Sequence, residues 1–164
     1  YAEDLNSVEI NQVSGAVRLE NIKSDAVITL SRGSASAKNL AGGLRYVSDS
    51  AELSASWVRG ASARSVFVKT ASGGVELEDL TGSLRFEGGS AKLKAAWGVA
   101  PVKGEAEILS RSGDIALEFP RETKIKSSIL KGWGKLENEF DYDGSSDFRL
   151  LINAGSGDIS VKSR

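Results

Sequence analysis

The chain has 164 residues, 40% of them hydrophobic and 26% charged, with 18 Gly, 24 Ser and only two Pro, the composition of a turn-rich β domain rather than a collagen repeat or a solvated tail. Its 21 basic and 22 acidic residues are interspersed and leave a net charge of -1, so no basic stripe is available for nucleic acid or an anionic membrane. The absence of Cys and His excludes disulfides, thiolate or imidazole metal ligands and triad-type catalysis.

From the N-terminus, Tyr1 to Val13 shows no secretory leader pattern, and no apolar run approaches the roughly 18 to 20 residues of a membrane-spanning helix. The chain contains no Met; any leader or anchor is expected outside this segment. Next comes a recurring unit, a turn followed by alternating apolar residues. It reads Ser14-Gly15-Ala16-Val17-Arg18-Leu19, then Ser72-Gly73-Gly74-Val75-Glu76-Leu77, Ser112-Gly113-Asp114-Ile115-Ala116-Leu117 and Ser156-Gly157-Asp158-Ile159-Ser160-Val161. Weaker copies begin near Arg32, Ser48 and Gly88. A shift of 40 residues superposes Gly33 on Gly73, Leu44-Arg45 on Leu84-Arg85, Trp57 on Trp97 and Ser72 on Ser112, with 11 identities in 40 positions.

Such a period marks a stack in which each unit buries its apolar face on the next. The spacing predicts coils of about 16 to 24 residues, and the last gap, about 118–155, is expected to hold an insertion or irregular coil. Within a coil, one strand turns Val17 and Leu19, Val75 and Leu77, or Ile115 and Leu117 inward. A corner follows near Ile22, Leu40 or Leu80, and a second strand starts at Ala26, Leu44 or Leu84. There Ile28 and Leu30, Tyr46 and Phe86 are expected in the core, and Arg45 and Arg85 in water. No helical stripe exists, and where an antiparallel meander would recur through two-residue Asn-Gly or Asp-Gly hairpins, equivalent apolar residues here recur at coil spacing. The fold class is therefore all-β: a single parallel β-helix or β-roll solenoid over 1–164, with Val17, Ala35, Ala51, Val75, Ala91 and Ile115 in one apolar ladder.

The Ser-Gly-Asp-Ile-x-Leu/Val phrases at Ser112 and Ser156, with Leu-x-Gly-x-Leu corners at Leu40 and Leu80, resemble the bacterial adhesin-like family of unknown function also called the Toastrack domain. The resemblance covers about Val8 to Lys162. It implies a single-stranded right-handed β-helix, exported or attached to envelope-stress modules, with no established catalytic residues.

Several residues invite a sharper reading. Asp114 and Asp158 suggest metal ligands, but an Asx-type bond to a backbone N–H accounts for them, and the nine-residue calcium-roll register is missing. Asp141, Asp143 and Asp147 flank Tyr142 in a Gly- and Ser-containing segment that suits either a hard cation or a solvated turn. Trp57 and Trp97 share one coil position and are expected to cap the core. Trp133 lies between glycines and lysines, either exposed to stack on a sugar or partner, or folded back on Phe140 or Tyr142. Outward Arg18, Glu52, Glu76, Lys92 and Ala116 form a mixed ladder without paired carboxylates.

The functional expectation is a non-catalytic, cofactor-free and metal-free envelope interaction domain, adhesin-like or stress-sensing. Its candidate binding residues are Trp133, Asp141, Tyr142, Asp143 and Asp147, and its partner an envelope protein or glycan. The rivals are a bactofilin-like filament joined through the solenoid ends and a carbohydrate-active β-helix enzyme.

Overall fold

The computed structural model describes residues 1–61 and 64–164. The described residues form strands and no helix: β1 (Ala2–Glu3), β2 (Val8–Glu20), β3 (Ala26–Leu40), β4 (Leu44–Trp57), β5 (Val66–Thr70), β6 (Gly74–Leu80), β7 (Leu84–Gly88), β8 (Lys92–Trp97), β9 (Lys103–Ser112), β10 (Ile115–Phe119), β11 (Lys126–Trp133), β12 (Leu136–Asn138), β13 (Asp147–Ser156) and β14 (Ile159–Ser163). All pair in parallel in one 14-stranded sheet. Parallel pairing of consecutive segments at coil spacing is a β-solenoid, as the repeat predicts.

Each coil has two arms separated by a bend. β2, β3 and β4 run through both arms as single bent strands; later coils divide at the bend into β5 and β6, β7 and β8, and so on. In the first arm Ala26, Leu44, Val66, Leu84, Ala106 and Leu150 are successive partners, with Ile28, Tyr46, Val68, Phe86, Ile108 and Ile152 two residues on. In the second arm Leu19, Ala37, Ala55, Leu77, Ala95, Leu117 and Val161 form a corresponding row. All of these are buried, because a period of two sends alternate side chains to one face.

The ladder differs from expectation in its middle rungs. Its members are Val17, Ala35, Leu53, Val75, Leu93, Ile115 and Ile159, so successive steps are 18, 18, 22, 18 and 22 residues before the last, where the repeat spacing predicts 18, 16, 24, 16 and 24. Ala51 and Ala91, expected in that ladder, stand two residues earlier, in the column of the bend glycines. Gly15, Gly33, Gly73, Gly113 and Gly157 take φ of +107° to +130° there. A Cβ on Gly33 would lie 2.0 Å from the Gly15 carbonyl oxygen, which explains glycine in that coil. Ala51 and Ala91 adopt no such φ and are fully buried, and reading them as ladder residues shifts the count by two.

The extra residues of each 22-residue step follow Trp57 and Trp97. Both tryptophans are buried, and their indole N–H groups donate to the carbonyls of Gly42 (2.9 Å) and Gly82 (3.0 Å) in the Leu-x-Gly corners. They close the core at the end of the second arm, the capping role anticipated from their shared position. Trp97 also stacks on Phe119 at 4.2 Å, with Phe148 edge-on to both.

The stretch 118–155 contains a regular coil in an unexpected place. β13 pairs with β9 on one side and β11 on the other, and β14 lies between β10 and β12. The chain therefore leaves β10, skips one rung to form β11 and β12 at the end of the stack, and returns to fill the vacant level with β13 and β14. Side chains record the same order: Asp114 Oδ1 accepts from the Asp158 backbone N–H (3.2 Å), and Asp158 Oδ1 accepts from the Lys135 N–H (2.8 Å). Each aspartate does accept a backbone N–H, but from the neighbouring coil rather than from its own turn as an Asx turn would, so each bond staples one bend to the next.

Arg45 and Arg85 face water. Arg85 meets Glu87 at 3.0 Å and Glu107 at 2.8 Å, with its side chain half exposed. Exposed pairs contribute little, so Arg85→Ala is expected to shift stability by no more than about 1 kcal/mol in urea denaturation.

Candidate functional site

The segment that returns the chain from β12 to β13 builds the most distinctive cavity. Pro120 accepts the Thr123 N–H at 2.9 Å, turning the chain after β10. Ile125 forms a parallel bridge with Tyr142 and accepts the Asp143 N–H at 2.9 Å. Ser146 Oγ donates to the Lys124 carbonyl at 2.7 Å. These bonds hold the two crossings together around an open cavity of about 670 Å³ whose lining includes Arg121, Thr123, Phe140, Asp141 and Tyr142.

Three of the sequence-selected residues meet here. Asp143 accepts from both the hydroxyl (2.6 Å) and N–H (2.9 Å) of Ser145, with Lys124 Nζ at 3.7 Å. The Ser145 hydroxyl bond, its N–H bond and the nearby Lys124 charge hold this carboxyl below its ordinary range. Glu139 accepts from the N–H and hydroxyl of Ser163 at 2.9 and 3.0 Å, which lowers its pKa with help from Lys162 and Arg121. Both lose their charge, and with it these bonds, only on acidification through their depressed pKa values.

Asp141 and Tyr142 differ: both side chains are exposed, Tyr142 at 63%. A Cβ on Gly144 would come within 3.2 Å of Tyr142 Cε1, so the small residue lets the ring lie against the loop backbone. Phe140 is half-buried and packs edge-on to Phe119 at 5.8 Å. Thr123 is buried and its hydroxyl has no hydrogen-bond partner among the described residues. The cavity therefore combines an exposed aromatic ring, the exposed Arg121 and, among the described residues, a carboxylate without an ion pair, with the Thr123 hydroxyl buried beneath them.

The other two selected residues lie elsewhere. Asp147 opens β13 opposite Lys103, outside the cavity lining. Trp133 ends β11 opposite Ser156, is 84% exposed and has no aromatic contact among the described residues, so it does not fold back on Phe140 or Tyr142. Among the described residues no three carboxylates converge as metal ligands. Sequence reasoning missed Arg121 and Thr123, which reach the cavity only because the chain skips a rung after Phe119. Their sole sequence signal is the Pro120 that ends the coil.

The parallel stacking, bend column and Leu-x-Gly corners define a β-solenoid repeat domain. A model of the Toastrack family (DUF4097) matches residues 2–164, and the chain belongs to that family. No curated protein and no solved structure matches the chain.

Proposed function

We propose that this Toastrack domain is a non-catalytic interaction module of the cell envelope and that the cavity beside Tyr142 takes a sugar ring of an envelope glycan. The observation that carries the reading is the exposed Tyr142 ring in a cavity that Arg121 and Asp141 also line. Apolar sugar faces stack on aromatic rings, while hydroxyls need planar donors and acceptors around them. Binding rather than hydrolysis is favoured because Glu139 and Asp143 are engaged by Ser163 and Ser145, leaving no opposed acid and nucleophile. The envelope setting rests on the exported habit that the family resemblance implies. Filament growth through the coil ends is less favoured. The inward positions Gln12 and Lys131 stand in the end rungs and bond back to Ser14 and Gly134, and inward polar groups discourage edge pairing.

A screen of envelope glycans against Tyr142→Ala and Trp133→Ala tests the assignment. Tyr142→Ala is expected to lose at least about tenfold in affinity with an unchanged melting temperature, and Trp133→Ala to bind normally. Loss confined to Trp133→Ala would move the site to the end of β11. Turnover of a bound glycan would establish the enzymatic rival.

A further inference from the structure

A second concavity, of about 680 Å³, crosses β4, β5, β7 and β9 where the first arm meets the bend. One wall is the outward row Val47, Lys69, Glu87 and Leu109, successive partners in the ladder. The other is the row two residues on: Asp49, Ala71, Gly89 and Arg111. Backbone bonds from Ser72 to Asp49, Ser90 to Ala71 and Ser112 to Gly89 keep that row in line. Between its charged ends the wall drops to a methyl group and a hydrogen. Gly89 keeps it low, since a Cβ there would lie 2.4 Å from the Ala71 carbonyl oxygen.

The charges at the two ends of this trough are unspent. Lys69 and Glu87 face each other at 3.4 Å, whereas Asp49 and Arg111 are exposed and have no ion pair among the described residues. Beneath the trough, on the inward side of the strands, Ser48 Oγ donates to Thr70 Oγ1 at 2.8 Å, which donates to the Ser72 carbonyl at 2.7 Å; these buried bonds brace the floor.

The geometry points to a short extended peptide with free termini, its ammonium group paired with Asp49 and its terminal carboxylate with Arg111. Three rungs at about 4.8 Å separate the two residues by about 14 Å, and an extended chain rising about 3.3 Å per residue covers that in about four residues. Charge-assisted bonds at both ends fix direction, while Val47 and Leu109 offer apolar contact to side chains. No aromatic ring lines the trough, and its charges cancel, which favours a zwitterion over a glycan or polyanion. The trough shares no lining residue with the Tyr142 cavity, so the two readings stand or fall separately.

The test is a titration of isotopically labelled protein with tetra-alanine, its N-acetylated form and its C-terminal amide, followed by NMR. Saturable shifts are expected at Asp49, Gly88 to Ser90 and Ser110 to Arg111, with either block weakening binding about tenfold. Arg111→Gln should abolish the difference between free and amidated peptide, and Asp49→Asn that between free and acetylated peptide. Both residues face solvent, and a melting curve verifies each variant's fold. The inference is overturned if no peptide gives saturable shifts, if the shifts map elsewhere, or if blocked and free peptides bind equally.

Discussion

Deleting Asp147 to Arg164 is expected to cost the protein two coils. Among the described residues β11 pairs only with β13, and β12 only with β14, so the segment at the end of the stack loses its strand partners there once the returning coil is gone. The deletion also uncovers β9 and β10 and removes Phe148, Leu150, Ile152, Ile159 and Val161, all buried. At about 1.5 to 3 kcal/mol for each large apolar side chain, the loss rivals the roughly 5 to 15 kcal/mol by which a domain is stable. Hydrogen exchange should show protection lost across 126–138 as well as in β9 and β10. Retained protection over 126–138 would mean that β11 docks directly on β9 and that the skipped rung is not obligatory.

Leu77→Asp is expected to unfold the domain outright. Leu77 is fully buried and lies between Ala55 and Ala95 in its row, so it supplies most of the local core volume. A carboxylate there would be buried without a partner, at a cost of several kcal/mol. Under the same urea titration that leaves Arg85→Ala near the parent, Leu77→Asp should show no folded baseline. Comparable midpoints for the two variants would contradict the assignment of inward and outward faces.

Local chemistry made much of the fold legible. Ile28, Tyr46, Leu84 and Phe86 alternate with Arg45 and Arg85, and period two alone assigns their faces. The middle register was harder because Ala serves both as a small ladder residue, at Ala35, and as an occupant of the bend column, at Ala51 and Ala91. The coil at 126–138 was hidden for a different reason. Its inward positions are Ser127, Ile129, Lys131, Leu136 and Asn138, since an end rung is covered on one side only, and the apolar alternation that reveals a strand is diluted. Rung order is not local information at all. Nothing in the spacing of Ser112-Gly113-Asp114 and Ser156-Gly157-Asp158 says that they are neighbours, although their similarity agrees with it. The candidate site inherits that difficulty: Asp141, Tyr142 and Asp143 stood out as a departure from the repeat, whereas Arg121 and Thr123 join them only through the skipped rung.

The absence of native cysteine permits a direct test of the stacking order by paired cysteine substitution. Glu107 is the partner of Leu151, and Leu151 that of Ser128. Adjacent rungs are about 4.8 Å apart, within disulfide range, whereas two rungs, about 10 Å, are beyond it. Under mild oxidation Glu107→Cys with Leu151→Cys should cross-link rapidly and completely, and Glu107→Cys with Ser128→Cys should not. The opposite pattern would show that the coils stack in chain order and would contradict the fold described.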